Sequence, residues 1–277
     1  MELPRSVVDF ISRALEEDIG PGDLTTLFLI SEDSESRALY IAKGNSVLAG
    51  LPFVKEVFRI LDPSSNIKVF YNEGARIKKG DVLAEVYGKT RSILSGERVS
   101  LNILQRLCGI ATLTNMYVEK VKGLKAKIVD TRKTTACQRF MEKYAVRIGG
   151  GENHRFGLFD GILIKDNHIE SVGSIKEAIR LAKKSHHLSK IEVEVENLHD
   201  LNEAIDAGAD VVMLDNMSID DMKEAVKVAN GRVMLEASGN IKIENVRAIA
   251  ETGVDLISVG AITHSPMAAD ISLKIVK

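Results

Sequence analysis

No apolar run in this 277-residue chain approaches the roughly 20 residues that a membrane-spanning helix needs, so no such helix is expected in it. Cysteine is scarce. The two present, Cys108 and Cys137, do not form a C-x-x-C pair, so no zinc site is suggested. The formal net charge is only −2 and the pI about 6.3, without the broad basic excess of a general nucleic-acid binder. The N-terminus, M-E-L-P-R-S-V-V-D-F, lacks a positive stretch ahead of an apolar one; no signal peptide is expected, and the cytoplasm is the expected location. What is present is the ordinary mixture of a globular enzyme, 45% hydrophobic and 27% charged, long enough to bury a core without staples.

The first hundred residues read as mixed α and β. Arg5 to Glu17 has helical spacing, with Pro4 at its start and Gly20-Pro21-Gly22 as its stop. Strands are expected at Ser36–Lys43 and Ser46–Ala49, and a helix at Leu51–Leu61 with Pro52 in its first turn. Alternating apolar residues on either side of Lys79-Gly80-Asp81 predict a β-hairpin. Gly96 to Val121 is one long helical pattern, broken or bent near Gly109, with Cys108 on its core side. The domain boundary is placed there: 1–108, then 109–277, with the extreme C-terminus free to return to the first domain. Cys137 is read as a packing residue, with an exposed or pocket thiol as the alternative.

Beyond that helix the pattern turns regular. Apolar runs at Lys127–Asp130, Gly161–Lys165, Ile191–Val195, Val211–Asp215, Arg232–Glu236 and Asp255–Gly260 alternate with helical stretches at Gln138–Val146, Ser174–Lys184, Leu198–Ala207, Ser218–Val228 and Lys242–Glu251. Ser174 and Ser218 suit N-caps, and Gly208 and Gly253 suit helix stops. Repeated β-α units mean a parallel sheet. Functional residue types follow every one of these runs, which a β/α barrel explains better than an open sheet, because all its strand ends meet at one mouth. No G-x-G-x-x-G follows the first of these strands, which argues against a dinucleotide site.

Asp130 to His168 is the most informative stretch. Ile128-Val129 and Ile162-Leu163-Ile164 end in charged residues, and Arg132, Lys133, Arg139, Lys143, Arg147, His154 and Arg155 lie between them, with Lys165 after the second. Cations gathered at strand ends suit a small, strongly anionic substrate, since Arg forks and Lys point charges pair with carboxylate and phosphate. Gly149-Gly150-Gly151 is read as a flexible or closely approached loop delivering His154 and Arg155. His154 has no metal-ligand spacing to another histidine except distant His168, so a hydrogen-bonding or charge role is expected. Glu192, Glu194 and Glu196 share one strand face, and Asp215 closes the next strand. Glu194 and Asp215 are candidates for holding Mg²⁺ and ribose hydroxyls. Ser238-Gly239-Asn240 and Gly260-Ala261 follow the last two strands, where barrel loops often bind phosphate through backbone N–H groups, and His264 is near the second.

T-R-K-T-T, E-K-Y-A-V, G-G-G-x-N-H-R-x-G-L-x-D, L-I-K-D-N-H, E-V-E, L-D-N and A-S-G-N together resemble the quinolinate phosphoribosyltransferase family, also called nicotinate-nucleotide pyrophosphorylase (carboxylating). E-E-D-I-G-P-G-D-L-T-T and S-G-E-R-V-x-L-N-x-L extend the likeness nearly end to end. The resemblance implies an α/β fold: an N-terminal α/β sandwich domain and a C-terminal incomplete β/α barrel. It implies reaction of quinolinate with phosphoribosyl pyrophosphate to nicotinate mononucleotide, pyrophosphate and CO₂, with Mg²⁺, in de novo NAD biosynthesis. It implies a homodimer, open to higher assembly, in which Arg98 enters the neighbouring site. Arg132, His154, Arg155 and Lys165 would bind quinolinate's carboxylates. Lys133, Glu194 and Asp215 would hold phosphoribosyl pyrophosphate and its metal. Ser238, Gly239, Asn240, Gly260, Ala261 and His264 would take phosphate groups. The catalytic set is then Lys133, Lys165, Glu194 and Asp215. One departure stands out: members commonly carry Pro-Gly after T-R-K-T-T, where this chain has Ala136-Cys137. Rival readings are a related transferase-like protein of molybdenum uptake loci, a Schiff-base aldolase-type barrel using Lys165, and a non-catalytic anion-binding barrel.

Overall fold

The computed structural model describes residues 2–185 and 188–276. In chain order the elements begin α1 (Arg5–Ile19), α2 (Leu24–Leu29), β1 (Glu35–Ala42), β2 (Ser46–Val47), α3 (Leu51–Leu61), β3 (Asn66–Val69), β4 (Arg76–Ile77), β5 (Val82–Lys89) and α4 (Thr90–Lys120). They continue β6 (Lys127–Val129), α5 (Arg139–Ile148), β7 (Ile162–Ile164), α6 (Asp166–Val172), α7 (Ile175–Ala182), β8 (Ile191–Val195), α8 (Leu198–Ala207) and β9 (Val211–Asp215). Last come α9 (Ile219–Ala229), β10 (Met234–Ser238), α10 (Val246–Ala250), β11 (Leu256–Ser258), α11 (Ala261–His264) and β12 (Ile271–Val276). Two compact units result, neither continuous in sequence. The first holds the residues up to Asn115, Thr134–Gly150 and those from Thr263 onward; the second holds Met116–Lys133 and Gly151–Ile262.

The first unit is built on an antiparallel sheet of order β12-β1-β5-β3. Along β1, burial alternates from Ala38 through Tyr40 to Ala42, as the two-residue period of a half-covered strand requires. Those side chains join Val54 and Phe58 of α3 and Leu101, Leu104 and Cys108 of α4 in one core. Burying a side chain such as Phe58 contributes about 1.5–3 kcal/mol. The buried Tyr40 hydroxyl is satisfied by Ser100 Oγ at 2.5 Å. At the α3 start, the Glu73 carboxylate accepts from the Gly50 and Leu51 N–H groups at 2.8 and 2.9 Å and from the Tyr144 hydroxyl at 2.9 Å. It does the work of an N-cap, typically worth about 1 kcal/mol.

Three expectations need correction. The Lys79-Gly80-Asp81 turn exists, closed by Asp81 N–H to the Lys78 carbonyl at 3.1 Å, but it does not join a hairpin. β4 pairs with β2, whereas β5 pairs with β1 and β3. Gly80 N–H and the Asp81 carbonyl both bond to Ala42, which ties the turn to the end of β1. Nor does Gly109 break its helix, since α4 runs through it. A Cβ there would come within 2.2 Å of the Met267 carbonyl oxygen, so glycine is needed for the close passage of the 267–268 backbone. Cys108 is buried as expected, but Cys137 is exposed and adopts φ +63°, the left-handed conformation that glycine takes freely.

The second unit is a six-stranded parallel sheet of order β6-β11-β10-β9-β8-β7. This is the sequential order of a ring with β6 and β7 left unpaired with each other, which makes the barrel incomplete. Among the described residues, the free side of β6 takes an isolated parallel bridge, Val129 to Glu152. The central strands are buried on both faces, so β9 reads V-V-M-L with no alternation. Ser174, Asn197 and Ser218 each cap a returning helix, accepting from the N–H of Glu177, Asp200 and Asp221. β10 begins two residues later than the sequence pattern suggests, so Ser238 ends the strand instead of following it. The expected helix at Lys242–Glu251 contracts to α10.

Candidate active site

The C-terminal ends of the second unit's strands surround a cavity of 390 Å³. Its walls include Arg132, Lys133, His154, Arg155, Lys165, Glu194, Asp215 and Ser238, and also Thr131, Leu163, Met213, Glu236 and Ser258. The cationic stretch therefore divides. Arg139, Lys143 and Arg147 belong to α5 of the first unit, and the other five basic residues line this cavity. The first unit has a larger cleft, 890 Å³, lined by Arg13 and Arg106, and there Arg106 is engaged by Glu142, Thr135 and the Thr263 carbonyl. The strand-end cavity is where the cations of the Asp130–His168 stretch meet Glu194 and Asp215.

Each wall is held by the fold. Asp130, fully buried just after β6, accepts from Asn153 Nδ2 at 2.6 Å and from His154 N–H at 2.9 Å. That fixes the Asn153–Arg155 segment. The Arg155 guanidinium donates to the Gly161 carbonyl at 2.9 Å. Burial, and then the neighbouring Arg132, pull its pKa below the usual arginine value, the signature of two positive groups facing one space. Gly149 meets α4 so closely that a Cβ would lie 2.5 Å from the Ala111 carbonyl oxygen, so close approach explains this glycine.

Lys165 Nζ forms an ion pair with Glu194, from β7 to β8. A Schiff-base lysine needs an activated, desolvated amine, and this one is 45% exposed and paired with a carboxylate. The aldolase-type reading loses its support. Glu194 and Asp215 supply hard oxygen donors at the ends of adjacent strands, a donor set that fits magnesium shared with substrate phosphates. Glu196 lies beyond β8 and is exposed.

His154, Glu192 and Glu236 form a second cluster, with His154 and Glu236 lining the cavity and ligand atoms within 4.8 Å of one another. It does not fit a metal. The Arg155 N–H donates to His154 Nδ1 at 2.9 Å, so the ring proton sits on Nε2, which faces Glu192 Oε2 at 3.0 Å and Glu236 Oε2 at 3.5 Å. A protonated nitrogen cannot be a ligand. Sequence reasoning gave no role to Glu192 or Glu236. The available signal was a glutamate inside each apolar run, I-E-V-E-V and M-L-E-A-S, on strands buried on both faces.

The remaining candidates fall elsewhere. Gly239 (φ +88°) packs on Asn216, and Asn240 donates to Asn216 Oδ1 at 3.0 Å, so the turns after β9 and β10 are tied together. Gly260 and Ala261 join β11 to α11. His264, bonded to Ser265 Oγ at 2.6 Å, and the exposed Arg98 of α4 belong to the first unit. No helix among the described residues is long and apolar enough to cross a membrane.

Comparison with known proteins matches residues 23–108 to "Quinolinate phosphoribosyl transferase, N-terminal domain" and residues 110–274 to the C-terminal domain of the same name. A probable nicotinate-nucleotide pyrophosphorylase (carboxylating) of Bacillus subtilis (strain 168) is 47% identical over 260 residues, covering 94% of this chain and 90% of that one. A protein of the same description from Synechocystis sp. is 44% identical, covering 99% and 94%. The solved nicotinate-nucleotide pyrophosphorylase of Francisella tularensis superposes with TM-score 0.95 at 45% identity, covering 99% of this chain and 98% of that one.

Proposed function

Because this chain belongs to the quinolinate phosphoribosyltransferase family, we propose that it transfers the phosphoribosyl group of phosphoribosyl pyrophosphate to quinolinate, releasing pyrophosphate and CO₂ and forming nicotinate mononucleotide. The reaction belongs to de novo NAD biosynthesis, and we place it in the cytoplasm. The observation that carries this reading is the convergence of Arg132, Lys133, Arg155 and Lys165 with Glu194 and Asp215 on one cavity.

In the reaction the pyridine nitrogen forms a bond to the ribose carbon as the carbon–oxygen bond to pyrophosphate breaks. The ring nitrogen then bears positive charge. The bond to the adjacent carboxyl group breaks, CO₂ leaves, and the electron pair left on carbon takes a proton. No step requires a covalent nucleophile from the protein. Arg132, Arg155 and Lys165 bind and orient the two carboxylates of quinolinate. Lys133 holds the pyrophosphate, and the Ser238–Asn240 and Gly260–Ala261 turns contact phosphate oxygens. Glu194 and Asp215 would hold Mg²⁺, which when bound with pyrophosphate supplies positive charge against the leaving group. Lys165 leaves Glu194 for the substrate carboxylate, so quinolinate binding frees Glu194. The working form is a homodimer, with Arg98 of one subunit completing its neighbour's site.

Incubating the chain with quinolinate, phosphoribosyl pyrophosphate and Mg²⁺ tests the reading. Nicotinate mononucleotide and CO₂ in equal amounts support it, and no product under conditions where the chain is folded refutes it.

A further inference from the structure

We propose that Glu192 and Glu236 are positioning residues that act through His154, holding its ring as the neutral Nε2–H tautomer and so fixing the main chain of Arg155. The consequence for catalysis rests on the carboxylate-binding role given to Arg155 above.

The geometry starts at Nδ1. The Arg155 N–H points at it from 2.9 Å, so that nitrogen offers its lone pair and carries no proton. The ring proton is therefore on Nε2, where Glu192 of β8 accepts it at 3.0 Å. On the other side, Asp130 takes the His154 main-chain N–H at 2.9 Å. The imidazole is thus a strut. It runs from a β8 carboxylate to the Arg155 backbone, and its own backbone is pinned at the end of β6. A cationic His154 would need a proton on Nδ1 and would lose the Arg155 contact. This assigns His154 a different task from the carboxylate binding that the family resemblance implies.

Glu236 completes the strut. It is fully buried, and neither carboxylate oxygen has a hydrogen-bond partner. The groups facing it are Glu192 from β8, His154 from the loop, Ser258 from β11 and Lys165 from the end of β7. Two carboxylates on β8 and β10 converge on one N–H. Both cannot remain ionised there cheaply, because an unpaired buried carboxylate loses its hydration without compensation. Burial, then Glu192, push the Glu236 carboxyl up to about 7. Glu192 accepts from Nε2 and orients the ring, and Glu236 closes the space behind it.

The test has a spectroscopic arm that is independent of substrate. In the full-length chain labelled with ¹⁵N-histidine, with His154 assigned by comparison with His154→Gln, one protonated and one unprotonated ring nitrogen are expected from about pH 6 to 8. Two protonated nitrogens overturn the proposal. In the kinetic arm, Glu192→Ala should raise the KM for quinolinate on the order of 10-fold while the KM for phosphoribosyl pyrophosphate stays within about 2-fold. Glu236→Leu should be impaired, and Glu236→Gln, which copies the protonated acid, should restore function to within about 3-fold. Equal loss in Glu236→Gln and Glu236→Leu, or equal KM shifts for both substrates in Glu192→Ala, contradict the proposal. Should Glu192→Ala not fold, Glu192→Gln takes its place, because its amide can flip and relax the tautomer. If the wild-type chain fails to use quinolinate, the assigned reaction fails, and the nitrogen pattern still decides the tautomer.

Discussion

Lys165 and Glu194 pair across the ends of β7 and β8, so each is engaged by the other before any substrate arrives. The cation assigned to quinolinate and the carboxylate assigned to Mg²⁺ are thus exchangeable partners. Lys165→Met is expected to weaken quinolinate binding by roughly 10- to 100-fold, in line with loss of one charge-assisted contact of about 1.5–3 kcal/mol. Glu194→Gln and Asp215→Asn should leave quinolinate binding intact and lose about 2–4 kcal/mol of transition-state stabilisation. Calorimetry on quinolinate alone, set beside turnover at saturating Mg²⁺, separates these outcomes. Full turnover in either carboxylate variant would show that the metal role is misplaced.

Arg98 is exposed on α4, within the S-G-E-R-V motif. Arg98→Ala and Arg132→Ala chains should each be inactive alone. Mixed and allowed to exchange subunits, they should recover activity, because one hybrid site then holds both arginines. Demonstrated exchange without recovered activity contradicts a shared site.

Cys137 occupies the left-handed region at φ +63°, where an L-residue with a Cβ is strained by roughly 1–2 kcal/mol. The loop has kept a backbone conformation that suits the glycine common at this position in the family. Cys137→Gly should leave the melting temperature unchanged or raise it, because relief of strain is offset by about 0.5–1 kcal/mol of chain entropy. Cys137→Val should lower it. A fall in Cys137→Gly would mean that the thiol makes a stabilising contact.

Glu236 gives stability a pH dependence of definite sign. Its folded-state pKa, about 7, lies above the ordinary 4.5, so the folded chain holds this proton more tightly than the unfolded chain. The stability it contributes is complete below about pH 4.5 and is lost as pH rises through about 7. Denaturant melts across that window should show a decline that Glu236→Gln flattens. An unchanged slope in the variant would rule out Glu236 as its source.

Much of this arrangement was legible in the sequence. Strands β8 and β9, helix α8 with its stop at Gly208 and helix α9 with its cap at Ser218 fall where the sequence puts them, because local pattern and capping agree there. Residues at strand ends were legible for the same reason, since a parallel barrel gathers them. Long-range pairing was not. Nothing local says that β4 pairs with β2, or that Ile271–Val276 supplies an edge strand against β1 over six residues, from Arg37↔Val276 to Ala42↔Ile271. The role of Gly109 depends on Met267, a neighbour 158 positions away (267 − 109). The charge state of His154 depends on which atoms face its two nitrogens, and residue type alone marks it as one more cation.

The central claim is that the cavity recognises a pyridine carrying two adjacent carboxylates. The most direct measurement is kcat/KM for quinolinate against nicotinate, with phosphoribosyl pyrophosphate and Mg²⁺ saturating. Nicotinate lacks one carboxylate and would make one fewer charge-assisted contact with Arg132, Arg155 and Lys165. A preference for quinolinate of roughly 10- to 100-fold is expected, the loss of one charge-assisted contact to these exposed or half-buried cations. Comparable use of the two acids would contradict it.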